Sequence, residues 1–173
     1  APLSSFFLQP VEAATASIYS FAAPPSNCIG STNLVCSVPE STRPWIQFSM
    51  YRSVSIKAVI IHNRLDCCQE QLGHHEIWVS DSYEQDYGDA SQRCFDGFAP
   101  ATSGPFTQYC DAIGRHVRVV LPGTARNLTL AMIELLAFNQ TTAPSPPANF
   151  PSLVESLVPA AIQSATLSNG APA

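Results

Sequence analysis

The stretch SVSIKAVIIHNRLDCCQEQLGHHEIWVS, residues 53–80, holds two strand-like runs and, between them, a turn with two adjacent cysteines. In the first run Val54, Ile56 and Ala58 fall on one face of an extended chain, the spacing of a half-buried strand. After Gly73 the run from Glu76 to Ser80 is again rich in β-branched and aromatic residues. Further short apolar runs flank this stretch, from Ile46 to Met50, His116 to Leu121 and Leu128 to Phe138, with Val54 to His62 between them. Turn-forming residues separate them: Gly73, Gly88, Gly97, Gly104, Pro105, Pro122 and Gly123. Short strands at this spacing, without a long helical pattern among them, predict an all-β antiparallel sandwich.

Composition narrows the class. The chain has 173 residues, enough for one domain of ordinary size with extensions. Charged residues are 12% of it, about half the roughly 25% usual in soluble domains. Attached glycans, or burial against other subunits, would then have to keep the surface soluble. A net charge of -5, with eight Lys and Arg that form no cluster, argues against a counterion-replacing nucleic-acid surface. No apolar run reaches the roughly 18 residues that predict a membrane span. The opening at Ala1 lacks a basic leader, as expected of a chain from which a signal peptide has been removed.

Six cysteines, Cys28, Cys36, Cys67, Cys68, Cys94 and Cys110, form an even set that reads as a disulfide framework in an oxidising, extracellular compartment, with fifteen pairings open. Adjacent Cys67 and Cys68 lack the spacing of a zinc site. Two sequons, at Asn127 and Asn139, add N-glycosylation to the same expectation. Beyond Phe138 the composition changes. Residues 139–151 carry Pro144, Pro146, Pro147 and Pro151 and predict an extended linker. In the tail, 152–173, Leu153, Val154, Leu157, Val158 and Ile162 recur at helical spacing, with Pro159 opposing a continuous helix. That stripe needs a surface to cover it. The apolar opening Leu3, Phe6, Phe7 and Leu8 is read as an N-terminal extension over residues 1–8. Pro24, Pro25, Pro146 and Pro147, set among Ser and Ala, are candidate modified prolines.

From about Gln9 to Phe138 the chain resembles the F-type lectins, the fucose-binding branch of the discoidin-like or galactose-binding-like jelly-roll domains. The resemblance rests on the run IHNRLDCCQEQL from Ile61, an Arg-x-Asp followed by two cysteines. Also similar are the opening run Ala13 to Ser20, the Trp-containing Pro44 to Phe48, Glu76 to Asp81, Cys94 with Cys110, and Leu128 to Leu135. It implies a discoidin-like antiparallel sandwich, with Cys67–Cys68 and Cys94–Cys110 as disulfides and Cys28–Cys36 closing the early loop. It also implies a sugar held by a His, by the Arg of the Arg-x-Asp, and by a second basic residue after the cysteines.

Arg64 matches that Arg and Asp66 the residue that orients it. A disulfide between neighbours stiffens the turn and presents a hard apolar face, while a guanidinium offers forked donors to hydroxyls. Gln71 stands where the second cation is expected, and no His precedes His62. The expectation is therefore a degenerate or altered sugar site at Arg64, Asp66, Cys67, Cys68, Gln71 and His74, with His74 and His75 read as loop residues. The family's structural calcium is also implied. Here Met132 replaces the acidic ligand, which argues against it, while Asn27 and Asn33 remain as loop oxygens. No metal or other cofactor is expected beyond that, and no catalytic motif stands out.

Two functions were expected from these readings. One is a secreted module that assembles with copies of itself into an oligomer or filament through its termini. The other is a lectin binding a glycan at the Arg64 turn.

Overall fold

A computed structural model describes residues 6–82 and 93–138. They form nine strands: β1 Phe6–Gln9, β2 Ala13–Ala16, β3 Cys36–Ser41, β4 Trp45–His62, β5 His74–Ser80, β6 Arg93–Phe98, β7 Phe106–Val120, β8 Arg126–Leu130 and β9 Met132–Phe138. The larger sheet runs in the order β1-β9-β4-β7-β5-β6, with β2 also paired on β4, and β3 and β8 form the smaller sheet. All pairings are antiparallel. Between the sheets lies one apolar core that includes Ile46, Phe48, Ile56, Ile61, Leu72, Ile77, Val117, Leu128, Leu130 and Leu135, each fully buried. The structure is the antiparallel β-sandwich that the strand pattern predicts. No helix among the described residues is long and apolar enough to cross a membrane.

Four features differ from the strand boundaries read in the sequence. The runs from Ile46 to Met50 and from Val54 to His62 are one strand, β4, whose register against β7 shifts between Ser49 and Val54. No Gly or Pro stands between them, so the exposed Tyr51, Arg52 and Ser53 make a bulge and not a turn. Conversely, the run from Leu128 to Phe138 is divided. Leu130 pairs with Cys36 in the small sheet and Met132 with His62 in the large one. The fully buried Ala131 makes the crossing, its N–H donating to the carbonyl of His62 at 2.9 Å. A side chain that small lets the backbone pass through the core.

Phe6 to Leu8, read as part of an extension, belong to β1, where Phe6 lies opposite Phe138 and Gln9 opposite Leu135. His74 and His75 belong to β5 and not to a solvated loop, and His75 is fully buried. The expected linker 139–151, the tail 152–173 with Leu153, Val154, Leu157, Val158 and Ile162, and the residues Asn139, Pro146 and Pro147 lie outside the described residues.

Candidate functional site

The connection from β4 to β5, residues 63–73, carries the Arg-x-Asp and the paired cysteines, and its shape is fixed by Asn63. This side chain is 1% exposed. Its Nδ2 donates to the carbonyls of Gln69 at 2.8 Å and Thr102 at 3.1 Å, and its Oδ1 accepts from the Arg64 N–H at 2.9 Å. Gln69 Nε2 donates back to the carbonyl of Arg64 at 3.2 Å. A buried amide with its capacity used in this way pins both ends of a turn at once. On that turn Cys67 and Cys68 form a disulfide, and Cys68 adopts a left-handed φ of 63°.

Arg64 lies against Asp66 in a two-pronged pair: Nε donates to Oδ1 at 2.9 Å and Nη2 to Oδ2 at 2.6 Å. The hydrogen bonds that Arg64 donates hold the Asp66 carboxyl down at about 2, and the accepting carboxylate raises the guanidinium. The pair is therefore ionised across the physiological range. The Asp66 side chain is 63% exposed, so a ligand can reach the carboxylate without breaking the pair. Beside it is a concavity of about 440 Å³ whose lining includes Leu65, Asp66, Asn27, Asn33 and Leu34. The Cys28–Cys36 disulfide closes the segment that supplies the asparagines, and Cys94–Cys110 ties β6 to β7. Arg64, Asp66, Cys67 and Cys68 thus share one braced turn, from which Leu65 and Asp66 line the hollow.

The other expected residues are engaged elsewhere. Gln71 accepts a hydrogen bond on Oε1 from Thr129 Oγ1 at 3.2 Å, which commits its carboxamide to the small sheet. His74 Nε2 lies 2.6 Å from Asp96 Oδ1 and its ring stacks on Phe98 at 4.8 Å. The bond from His74 lowers the Asp96 carboxyl. His75 Nδ1 lies 3.0 Å from the carbonyl of Gly73, while its Nε2 is buried with no hydrogen-bond partner. Desolvation depresses its basicity. Asn127 is half-buried in β8, and Thr129 of its sequon is 3% exposed. Pro24 is partly buried. Pro25, read as a candidate for modification, is buried in a 3-10 turn with Cys28, so an enzyme could reach its ring only before folding.

Two residues not singled out in the sequence complete the site. Asn63 is one. The other is Arg126, whose Nη2 donates to the carbonyls of Gln71, Leu72 and His74 at 3.4, 3.2 and 3.1 Å, and whose Nη1 donates to that of Pro122 at 2.9 Å. Gly73 turns the chain into β5 here. Its φ is +40°, and a Cβ there would stand 3.3 Å from the carbonyl oxygen of Glu70 and 3.6 Å from Arg126 Nη2. The available signals were position alone: Asn63 directly precedes Arg64, and Arg126 is one of only eight cations.

The early loop closed by Cys28–Cys36 lies beside β9. Asn27 Nδ2 donates to the carbonyl of Val35 at 2.9 Å, and Glu134 pairs with His62 at 2.8 Å. The hollow between that loop and β9 is lined by residues including Ile29, Gly30, Met132 and Ile133. Of the described side chains lining it only Gln9 and Glu134 carry oxygens, and Glu134 is paired with His62; calcium takes six to eight, which this lining does not fit. Among the described residues no three His, Cys, Asp or Glu side chains converge on a metal position.

Strand order, the disulfide-bearing turn and the sheet-switching chain define a discoidin-like β-sandwich. Solved carbohydrate-binding structures share that architecture, among them a Streptococcus pneumoniae fucose binding module with TM-score 0.59 at 17% identity, covering 73% of this chain and 93% of that one. Within the class, the sequence likeness is to the F-type lectin branch. It is 32% identical over 104 residues to fucolectin-4 of Anguilla japonica, covering 59% of this chain and 57% of that protein. It is 30% identical over 103 residues to a pentraxin fusion protein of Xenopus laevis, covering 59% of this chain and 24% of that protein. An f-lectin from the serum of Morone saxatilis, striped bass, matches with TM-score 0.65 and 29% identity over 72% of this chain and 46% of that one. The chain thus spans about a quarter and a little over half of the two curated relatives. No protein-family model matches it.

Proposed function

We propose that the chain is a secreted, non-catalytic glycan-binding module whose ligand sits at the Arg64 turn. The observation that carries this is the Arg64–Asp66 fork, held by Asn63 beside the Cys67–Cys68 disulfide and opening on the hollow with Asn27 and Asn33. A sugar has an apolar ring face and an edge of hydroxyls. Leu34, Leu65 and the disulfide suit the first, and the guanidinium, carboxylate and amides suit the second. With Gln71 turned toward Thr129, Arg64 acts without a second cation from that position, so affinity is weak and specificity differs from a site with two guanidiniums. The early loop is held by Cys28–Cys36, and calcium has no part in it.

A glycan array with the full chain, followed by calorimetry on the best sugar, tests the reading. Arg64→Ala is expected to weaken binding by at least about tenfold, the value of charge-assisted hydrogen bonds, with the melting temperature little changed. No binding to any glycan, or equal binding by the variant, would overturn it. Self-assembly through the termini has less to rest on. The apolar tail lies outside the described residues, and the opening segment from Phe6 is used on its own sheet.

A further inference from the structure

The hollow beside the Arg64 turn presents the carboxylate of the fork more than the guanidinium. In that pair the Asp66 side chain is 63% exposed and the Arg64 side chain 21%. Of the described residues lining the hollow, Leu65 and Asp66 come from this turn, and Asp66 alone carries a charge. Arg64 spends Nε and Nη2 on the two carboxylate oxygens, and it is the cation that acts on this carboxyl. The other groups that could bring donors or positive charge are used elsewhere. Gln71 is bonded to Thr129 and His74 to Asp96, and the Asn27 amide has one of its two hydrogens committed to the carbonyl of Val35. Leu34, Val35 and Leu65 supply the apolar part of the wall.

A carboxylate that stays ionised accepts hydrogen bonds and donates none. A sugar hydroxyl that donates to it makes a charge-assisted bond. A sulfate or carboxylate on the sugar has no proton to place between the two anions, and in the hollow it would meet Asp66 before it met the guanidinium behind it. Like charges set opposite each other across a contact are strongly disfavoured. We propose that Asp66 sets the charge specificity of this site: the hollow takes uncharged glycans, whose hydroxyls donate to the carboxylate, and rejects sugars that carry sulfate or carboxylate. The inference rests on the glycan-binding reading above and adds the class of glycan. Asp66 rejects anions while masking Arg64. Neutralising it leaves the guanidinium in place with its donors uncovered, so the preference should reverse and not merely fade.

The full chain is screened on an array that holds each neutral terminal sugar beside its O-sulfated and its uronic acid form. The best neutral ligand and its sulfated form are then measured by calorimetry. The parent is expected to bind the neutral form at least about tenfold more tightly, the effect of like charges at short range in a partly exposed site. Asp66→Asn should lose affinity for the neutral form and bind the sulfated form at least about tenfold better than the parent does, a gain that should disappear in about 1 M salt. Asp66→Glu keeps the charge and should still reject the sulfated form. The position is more than half exposed, so both variants are expected to fold, with melting temperatures near that of the parent. Three results would each overturn the charge specificity and leave the glycan-binding reading standing: equal binding of the two forms by the parent, continued rejection of sulfate by Asp66→Asn, or admission of sulfate by Asp66→Glu as freely as by Asp66→Asn. A parent that binds no sugar of either kind would overturn both.

Discussion

Of the four histidines, His75 is the most buried, and its imidazole sets a pH limit on the fold. Its ring lies against Phe95 at 5.1 Å, with His74, Asp96 and Arg126 as the charged or titratable neighbours and the carbonyl of Gly73 at Nδ1. Burial lowers its affinity for a proton, and the unpartnered Nε2 would have to carry that proton inside the core. In the unfolded chain the group titrates near 6.5. Its stabilising contribution is therefore whole above that pH and is lost as the pH falls from there through the lower folded value. His116 is displaced in the same direction, again chiefly by desolvation, and adds to the slope. Melting temperature should fall from pH 7 toward pH 5, and His75→Gln, which keeps a donor for Gly73, should flatten part of that fall. An unchanged pH profile in the variant would assign the effect to other groups. Asp66 behaves differently: with its carboxyl held near 2, the Arg64 fork survives through the same interval.

Among the elements, the β4–β5 connection depends on a strand far from it in sequence. Arg126 at the start of β8 holds the carbonyls of Gln71, Leu72 and His74, and Thr129 three residues later holds the Gln71 side chain across 58 residues. A fork of donors in fixed geometry can serve several carbonyls together, which a lysine cannot. Arg126→Lys is expected to cost about 1.5–3 kcal/mol in chemical denaturation and to weaken glycan binding while leaving Arg64 intact. A variant as stable as the parent would mean that water satisfies those carbonyls equally well. Contacts of this kind also mark where reading the chain stops. The Cys-Cys turn and the pairing of Val54 with Ile56 on one face are local patterns, and the structure places them on a turn and in β4; Ala58, expected on that same face, follows a register shift after Ile56 and lies instead on the outer face, opposite Tyr109 and Leu136. The partner of Gln71, the burial of His75 and the sheet switch at Ala131 depend on which strands meet, and a period of two along one strand carries no record of its neighbours.

For the whole molecule, the question is what holds the early loop, residues 28–36, against the smaller sheet. Its two ends meet at Cys28 and Cys36, with Cα atoms 5.5 Å apart and both residues fully buried in the core. Cys36 opens β3 and lies opposite Leu130 on β8, so the bridge anchors the loop at the place where the chain crosses from one sheet to the other. A metal would have to supply the same restraint from oxygens, yet on the facing strand Met132, Ile133 and Leu135 line the hollow and Glu134 is paired with His62. Replacing Cys28 and Cys36 together by Ser should therefore cost about 2–3 kcal/mol, the loop-closure value for a short ring, whereas a chelator should leave the melting temperature of the parent unchanged. The opposite pattern, a chelator-sensitive parent and a double variant that melts with it, would place a cation where the disulfide now closes the loop. If the disulfide is the restraint, glycan binding at the Arg64 turn should withstand chelation and fail on reduction, because the hollow beside Asp66 takes Asn27 and Asn33 from the segment that the bridge closes.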